Sequence, residues 1–230
     1  MDVIIFTLLG FGFLSGIRHA FDADHIAAVS TMVSKHKSVR KSSLLGMFWG
    51  FGHAISLFVI GLIILLLKIT IPKKIVLSLE LIVGIMLVIL GVNSLFIIKR
   101  NKIHFHKHKH GKEEHTHFHS HKLEENHNHA HAPLKQSLFI GVIHGLAGSA
   151  ALTLLVLATV KSFWIGITYI FSFGLGSIMG MMLISSIISL PFLLISNKFQ
   201  TTQKLLSISS GFISAVIGLT IIYNIGVMSY

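Results

Sequence analysis

The sequence predicts an all-α membrane protein of about six transmembrane helices, arranged as two inverted three-helix repeats joined by a His-rich cytoplasmic linker. Three observations predict it: long apolar runs, a repeat at a nearly constant offset, and a charged segment between the two halves. The 230 residues are 53% hydrophobic and only 12% charged, with a mean hydropathy of +0.79. An average soluble domain carries about 25% charge and breaks its apolar residues into short periodic bursts. A soluble enzyme is therefore excluded first.

Six stretches reach the length of about 20 residues that a hydrocarbon core of about 30 Å demands. They are Val3–Ala20, Ser42–Leu67, Lys74–Ile98, Ser137–Val160, Phe163–Ile195 and Lys204–Tyr223. The first run has no basic segment before it and no small-residue cleavage site after it, so it reads as a retained span rather than a secretory signal. The chain then divides into a first three-helix repeat over residues 1–98, a His-rich disordered linker over 99–135, and a second three-helix repeat over 136–230.

The repeat is read from glycines and histidines. Gly16-Ile17-Arg18-His19 recurs as Gly141-Val142-Ile143-His144, at an offset of 125. Gly50-Phe51-Gly52-His53 recurs as Gly174-Leu175-Gly176-Ser177, at 124, and Gly84/Gly91 recurs as Gly211/Gly218, at 127. Three spans per half is an odd number, so the second half enters from the opposite face. That is the plan of many secondary transporters, which place their sites between the halves near the midplane. The pairs Gly12/Gly16, Gly46/Gly50, Gly141/Gly145 and Gly176/Gly180, each four residues apart, fit close helix packing.

Charge sets the orientation. Fourteen Lys and Arg lie in the connections after the first, third and fifth runs, against four on the other side. Positive residues collect in the cytoplasm, so the linker is expected there and both termini outside, in a multi-pass cell-membrane protein. The formal net charge of +11 does not point to nucleic acid, because 12 of the 27 charges lie within Lys99–Lys135 and most others flank apolar runs. The chain has no Cys, which removes disulfide scaffolds, thiolate zinc sites and thiol catalysis. It has no GxxxxGK[ST] phosphate loop, no HExxH and no nucleophile–base motif, so neither ATP-driven transport by this chain nor enzyme activity is expected.

Eleven of the sixteen histidines crowd the linker, from His104 to His131. Alternating His with Lys, Glu, Asn and Ser cannot build a core, and imidazole-rich tracts bind Ni, Co, Zn and Cu. The plainer reading is a solvated, dispensable loop.

The chemistry concentrates in Arg18-His19-Ala20-Phe21-Asp22-Ala23-Asp24-His25-Ile26. Two Asp, two His and an Arg beside a membrane are expensive and mark ion pathways. On a continuous helix, at about 100° per residue, Asp22 lies about 300° and His25 about 240° from His19, so these three share a face about 120° wide while Asp24 points elsewhere. Imidazole with carboxylate suits Ni, Co, Zn or Mn, and the lack of thiolates argues against soft Cu(I). His53 and His144 are expected to face inward with them. The alternative is a helix-end cluster in which Asp22 and Asp24 pair with Arg18 and cap the following turn, with His53 and His144 as packing histidines.

The string His19-x4-Asp24-His25 within RHAFDADHI resembles the signature of the nickel/cobalt permease (NiCoT) family. Phe48-Trp49-Gly50-Phe51-Gly52-His53-Ala54-Ile55-Ser56 is similar to that family's Phe-rich GHS-type segment. Ile143-His144-Gly145-Leu146-Ala147-Gly148-Ser149-Ala150 resembles its short, urease-associated nickel-transporter branch. The larger permeases have eight spans and an acidic motif in their second half, where this chain offers His144, Ser149 and Thr153. The resemblance implies a secondary transporter moving divalent Ni²⁺ or Co²⁺, with uptake as the expected direction and His19, Asp22, Asp24, His25, His53 and His144 as metal-contacting residues. The ion is cargo, and no resident cofactor is expected. The implied partners are the divalent ion, the lipid bilayer and nickel-enzyme maturation proteins. An efflux permease of the same fold, which the His-rich linker favours, and a membrane-bound metal sensor or delivery protein are the competing readings.

Overall fold

The computed structural model describes residues 2–34, 38–69, 71–100, 105–110, 113–118, 132–147, 162–196 and 200–228. Among them the elements run α1 (Asp2–His19), α2 (Ala23–Val33), α3 (Val39–Leu67), α4 (Lys73–Arg100), β1 (Phe105–His110), β2 (Glu113–Phe118), α5 (Ala132–Ala147), α6 (Phe163–Ser196) and α7 (Gln200–Met228). Four stretches of these are long and apolar enough to cross a membrane: Val39–Leu67, Lys73–Phe96, Phe163–Leu194 and Lys204–Val227. Large apolar side chains such as Phe58, Leu66, Ile89, Leu194 and Phe212 lie exposed along these helices, a surface suited to lipid rather than water. The later part of the expected fourth run, residues 148–160, lies outside the described residues.

The structure corrects two expectations. The first helix does not continue through the RHAFDADH string. α1 stops at His19, residues 20–22 turn the chain, and α2 begins at Ala23. Asp22 stands at the N-cap of α2 with extended backbone (φ −65°, ψ 150°), yet its side chain makes no capping bond, because it is engaged by His19. Asp24 takes the first turn of α2, where a carboxylate faces the positive end of the helix dipole. The second correction concerns the linker. There β1 and β2 pair antiparallel, with Phe105 opposite Phe118 and His108 opposite His115, so these two runs satisfy each other's backbone groups where composition predicts disorder. Residues 101–104, 111–112 and 119–131 of that tract lie outside the described residues.

Packing follows the glycines. α1 lies along α6, α3 along both α5 and α6, and α4 along α7, while the short α2 wedges against α7, α6 and α4. Trp49, Leu87 and Met181 are fully buried in the same core as Val29 and Val33 of α2. A methyl added to Gly16 would strike the Phe173 carbonyl, and one added to Gly141 would strike that of Trp49. Likewise Gly176 abuts the Phe13 carbonyl and Gly52 that of Leu138, while Gly84 meets Gly218 and Gly91 meets Gly211 in reciprocal contacts. Hydroxyls tie the same crossings: Ser137 Oγ donates to the Leu45 carbonyl at 2.6 Å and Ser56 Oγ to that of Val142 at 2.9 Å.

These contacts are made with backbone, which cannot yield as a side-chain tip does. Gly141→Ala is therefore expected to destabilise the purified protein by about 1–3 kcal/mol, as overpacking does. Gly10→Ala, where nothing lies within 4 Å of the added carbon, should leave the thermal midpoint unchanged. Equal midpoints for the two variants would contradict this account of the packing.

Candidate metal centre

Four helices deliver one histidine each or share one junction. His19 ends α1, His25 lies in the first turn of α2, His53 lies midway along α3, and His144 lies in the last turn of α5. The break at residues 20–22 folds α2 back so that the His19 and His25 rings meet edge to face, 4.5 Å between centroids. His53 stands 5.2 Å from His19 and 5.4 Å from His25, and His144 stands 4.2 Å from His25. His25, His53 and His144 have no solvent exposure, and His19 is buried.

The carboxylates orient the rings. His19 Nδ1 donates to Asp22 Oδ2 at 2.8 Å, and His25 Nδ1 donates to Asp24 Oδ1 at 3.2 Å. With the proton on Nδ1, each ring presents its Nε2 lone pair. Both Nε2 atoms are buried and have no hydrogen-bond partner among the described residues. A buried polar atom left unsatisfied costs about 1–3 kcal/mol, and a carboxylate–histidine pair with a free Nε2 is the arrangement that metal-binding histidines use. Ligand atoms of His19, His25 and His53 lie within 4.8 Å of one another. Nitrogen–metal bonds of about 2.1 Å place ligands about 3–4 Å apart, so this group could hold an ion after small side-chain adjustments.

A second group shares His25. Asp24 Oδ2 accepts from His144 Nε2 at 2.8 Å, and ligand atoms of Asp24, His25 and His144 again lie within 4.8 Å of one another. Asp24 therefore holds one histidine from each half of the chain. Its side chain is 22% exposed and that of Asp22 51%, against none for His25 and His144, so the carboxylates occupy the accessible side and the imidazoles the dry interior.

All six residues singled out from the sequence thus meet in one cluster. Their roles differ from the helical-wheel expectation: Asp24, placed off the face by a continuous helix, bridges His25 and His144, whereas Asp22 touches the cluster through His19. Ser149 and Thr153 lie outside the described residues. Two aromatic walls were given no role by the sequence reading. Trp49 stacks on His25 at 5.5 Å and meets His144 edge-on at 5.6 Å, while Phe173 lies 5.6 Å from His19. The repeat carried the signal, since Trp49 and Phe173 are 124 residues apart, the offset that relates Gly50 to Gly174.

Comparison with known proteins agrees with this chemistry. Residues 5–227 match the NicO family, described as high-affinity nickel-transport protein. The chain is 40% identical over 226 residues to the urease accessory protein UreH of Bacillus sp. (strain TB-90), covering 98% of this chain and 95% of that protein. A 58-residue stretch, 24% of this chain and 17% of the relative, is 43% identical to the nickel transporter NixA of Staphylococcus aureus (strain NCTC 8325 / PS 47). No solved structure matches the chain. A match over nearly the whole length settles its membership: it belongs to the NicO family of high-affinity nickel-transport proteins and is a membrane nickel transporter, not an enzyme.

Proposed function

We propose that this transporter carries Ni²⁺ into the cytoplasm, with Co²⁺ as a second substrate, through the cluster of His19, Asp22, Asp24, His25, His53 and His144. The observation that carries the reading is the pair of buried Nε2 atoms of His19 and His25, without a hydrogen-bond partner among the described residues and each oriented by a carboxylate on its Nδ1. The ion exchanges waters for these nitrogens as it enters, and His25, common to both groups, passes it between the His19/His25/His53 and Asp24/His25/His144 sets.

Two inverted three-helix repeats frame this path. In support, the interhelical contacts exchange under the sequence offsets: Gly16 on Phe173 corresponds to Gly141 on Trp49, and Gly176 on Phe13 to Gly52 on Leu138. The two ion-binding groups do not obey that symmetry, since the second half contributes His144 alone. The linker lies in the cytoplasm and both termini outside, a reading supported by the excess of positive charge in alternate connections. The likeness to a urease accessory protein supports delivery of the imported nickel to enzyme-maturation partners.

The driving force needs no ATP. A divalent ion moving inward through about 100 mV gains roughly 4.6 kcal/mol, enough for a gradient of about three decades. In liposomes holding the purified protein, an inside-negative potassium diffusion potential is expected to accumulate Ni²⁺ against its gradient. Collapsing that potential should reduce the process to equilibration. Accumulation driven only by an outward-directed proton gradient, or only under an inside-positive potential, would overturn this direction and coupling.

A further inference from the structure

We propose that Ser177 is a specificity-determining residue of the ion path, its hydroxyl receiving the water ligands of the ion held by His19, His25 and His53. The inference rests on the reading of that cluster as the transport site and adds the contribution of the second half at the position matching His53.

The position follows from how α3 and α6 cross. Gly50 packs on Ile178 and Gly174 packs on Ala54, so the two helices meet at residues related by the offset of 124. His53 and Ser177 each immediately precede the contacted residue, Ala54 or Ile178, and stand as equivalents at this crossing. On α6, Phe173 and Ser177 are four residues apart and share a face. The Phe173 ring lies 5.6 Å from His19, and the Ser177 amide nitrogen lies 2.8 Å from where a Gly16 Cβ would be, about one turn from His19 on α1.

The state of its hydroxyl is the second observation. Buried serines in apolar helices ordinarily donate to a nearby carbonyl. Ser34, Ser56, Ser137, Ser172, Ser189 and Ser214 all do so here. Ser42 and Ser177 are fully buried, yet the Oγ of each has no hydrogen-bond partner among the described residues; Ser42 lies eleven residues before His53 on α3, whereas Ser177 stands at the crossing that matches His53. Three imidazoles leave a six-coordinating ion with several waters, and those waters need polar partners where Trp49 and Phe173 wall the site. A hydroxyl, both donor and acceptor, is suited to them.

Ser177→Ala removes only the hydroxyl, and Ser177→Cys replaces it in a chain that has no other thiol. Initial rates of Ni²⁺, Co²⁺ and Zn²⁺ uptake would be measured in liposomes at equal protein, with His25→Ala run in parallel. Ser177→Ala is expected to raise the KM for Ni²⁺ about tenfold, the scale of losing an outer-shell partner, with kcat less affected. Ser177→Cys should shift preference toward Zn²⁺, and Ni²⁺ should slow modification of its thiol by a small methanethiosulfonate reagent. An unchanged KM and metal ranking in Ser177→Ala, or thiol modification at the same rate with and without Ni²⁺, would overturn the proposal while inactive His25→Ala leaves the site reading intact. Full activity of His25→Ala would instead remove the site reading, and this proposal with it.

Discussion

His25→Ala is expected to lower nickel uptake by more than about 100-fold while the protein still reaches the membrane. Loss of an outer-shell partner alone costs about 10–100-fold in metal affinity, and here the ring lost belongs to both candidate ligand groups. Its Nε2 is one of the two free nitrogens that the carboxylates orient, and its ring neighbours His19, His53, His144 and Trp49 all lose a contact. His144→Ala should be milder, because it leaves the His19/His25/His53 group complete. The check is the initial rate of Ni²⁺ uptake at matched membrane abundance, with the thermal midpoint of each purified variant. Wild-type uptake by His25→Ala would remove this residue from the path.

How much of this was legible in the sequence differs from element to element. The long apolar helices were, because a bilayer demands about 20 apolar residues and the runs at Ser42–Leu67 and Phe163–Ile195 announce α3 and α6 within a few positions. The six polar residues were legible as well, since ionisable groups beside apolar runs are rare for energetic reasons. Their arrangement was not. Ala20-Phe21-Asp22 holds neither Gly nor Pro, so the one local mark of the break is Asp22 as a capping residue, and a continuous helix put Asp22 in the path and Asp24 outside it. What breaks the helix is tertiary: α2 buries Ala27, Ala28, Val29 and Val33 in the central core, and His19 takes the Asp22 carboxylate. Trp49 and Phe173 escaped notice because an aromatic residue in an apolar helix carries no mark of what it touches; only the repeat offset singles them out.

Asp24→Asn is the second substitution expected to have a large effect, and it separates the two arrangements. The carboxylate accepts from His25 Nδ1 with one oxygen and from His144 Nε2 with the other. An amide of the same shape keeps one acceptor and turns a donor toward the second ring, so one of the two buried histidines faces N–H against N–H. The His25 tautomer that frees Nε2 is no longer enforced, the negative charge that helps draw in a dication is gone, and the tie between the two halves is broken. Uptake should fall by about 10–100-fold, mostly through KM. Asp22→Asn should cost less, because that side chain is 51% exposed and holds only His19. On a continuous helix the order would be reversed, with Asp22 in the path and Asp24 beside it. Ni²⁺ uptake kinetics of the two variants, measured at equal membrane abundance, decide between them: near-normal transport by Asp24→Asn beside a crippled Asp22→Asn would reject the broken-helix site and restore the single His19/Asp22/His25 face.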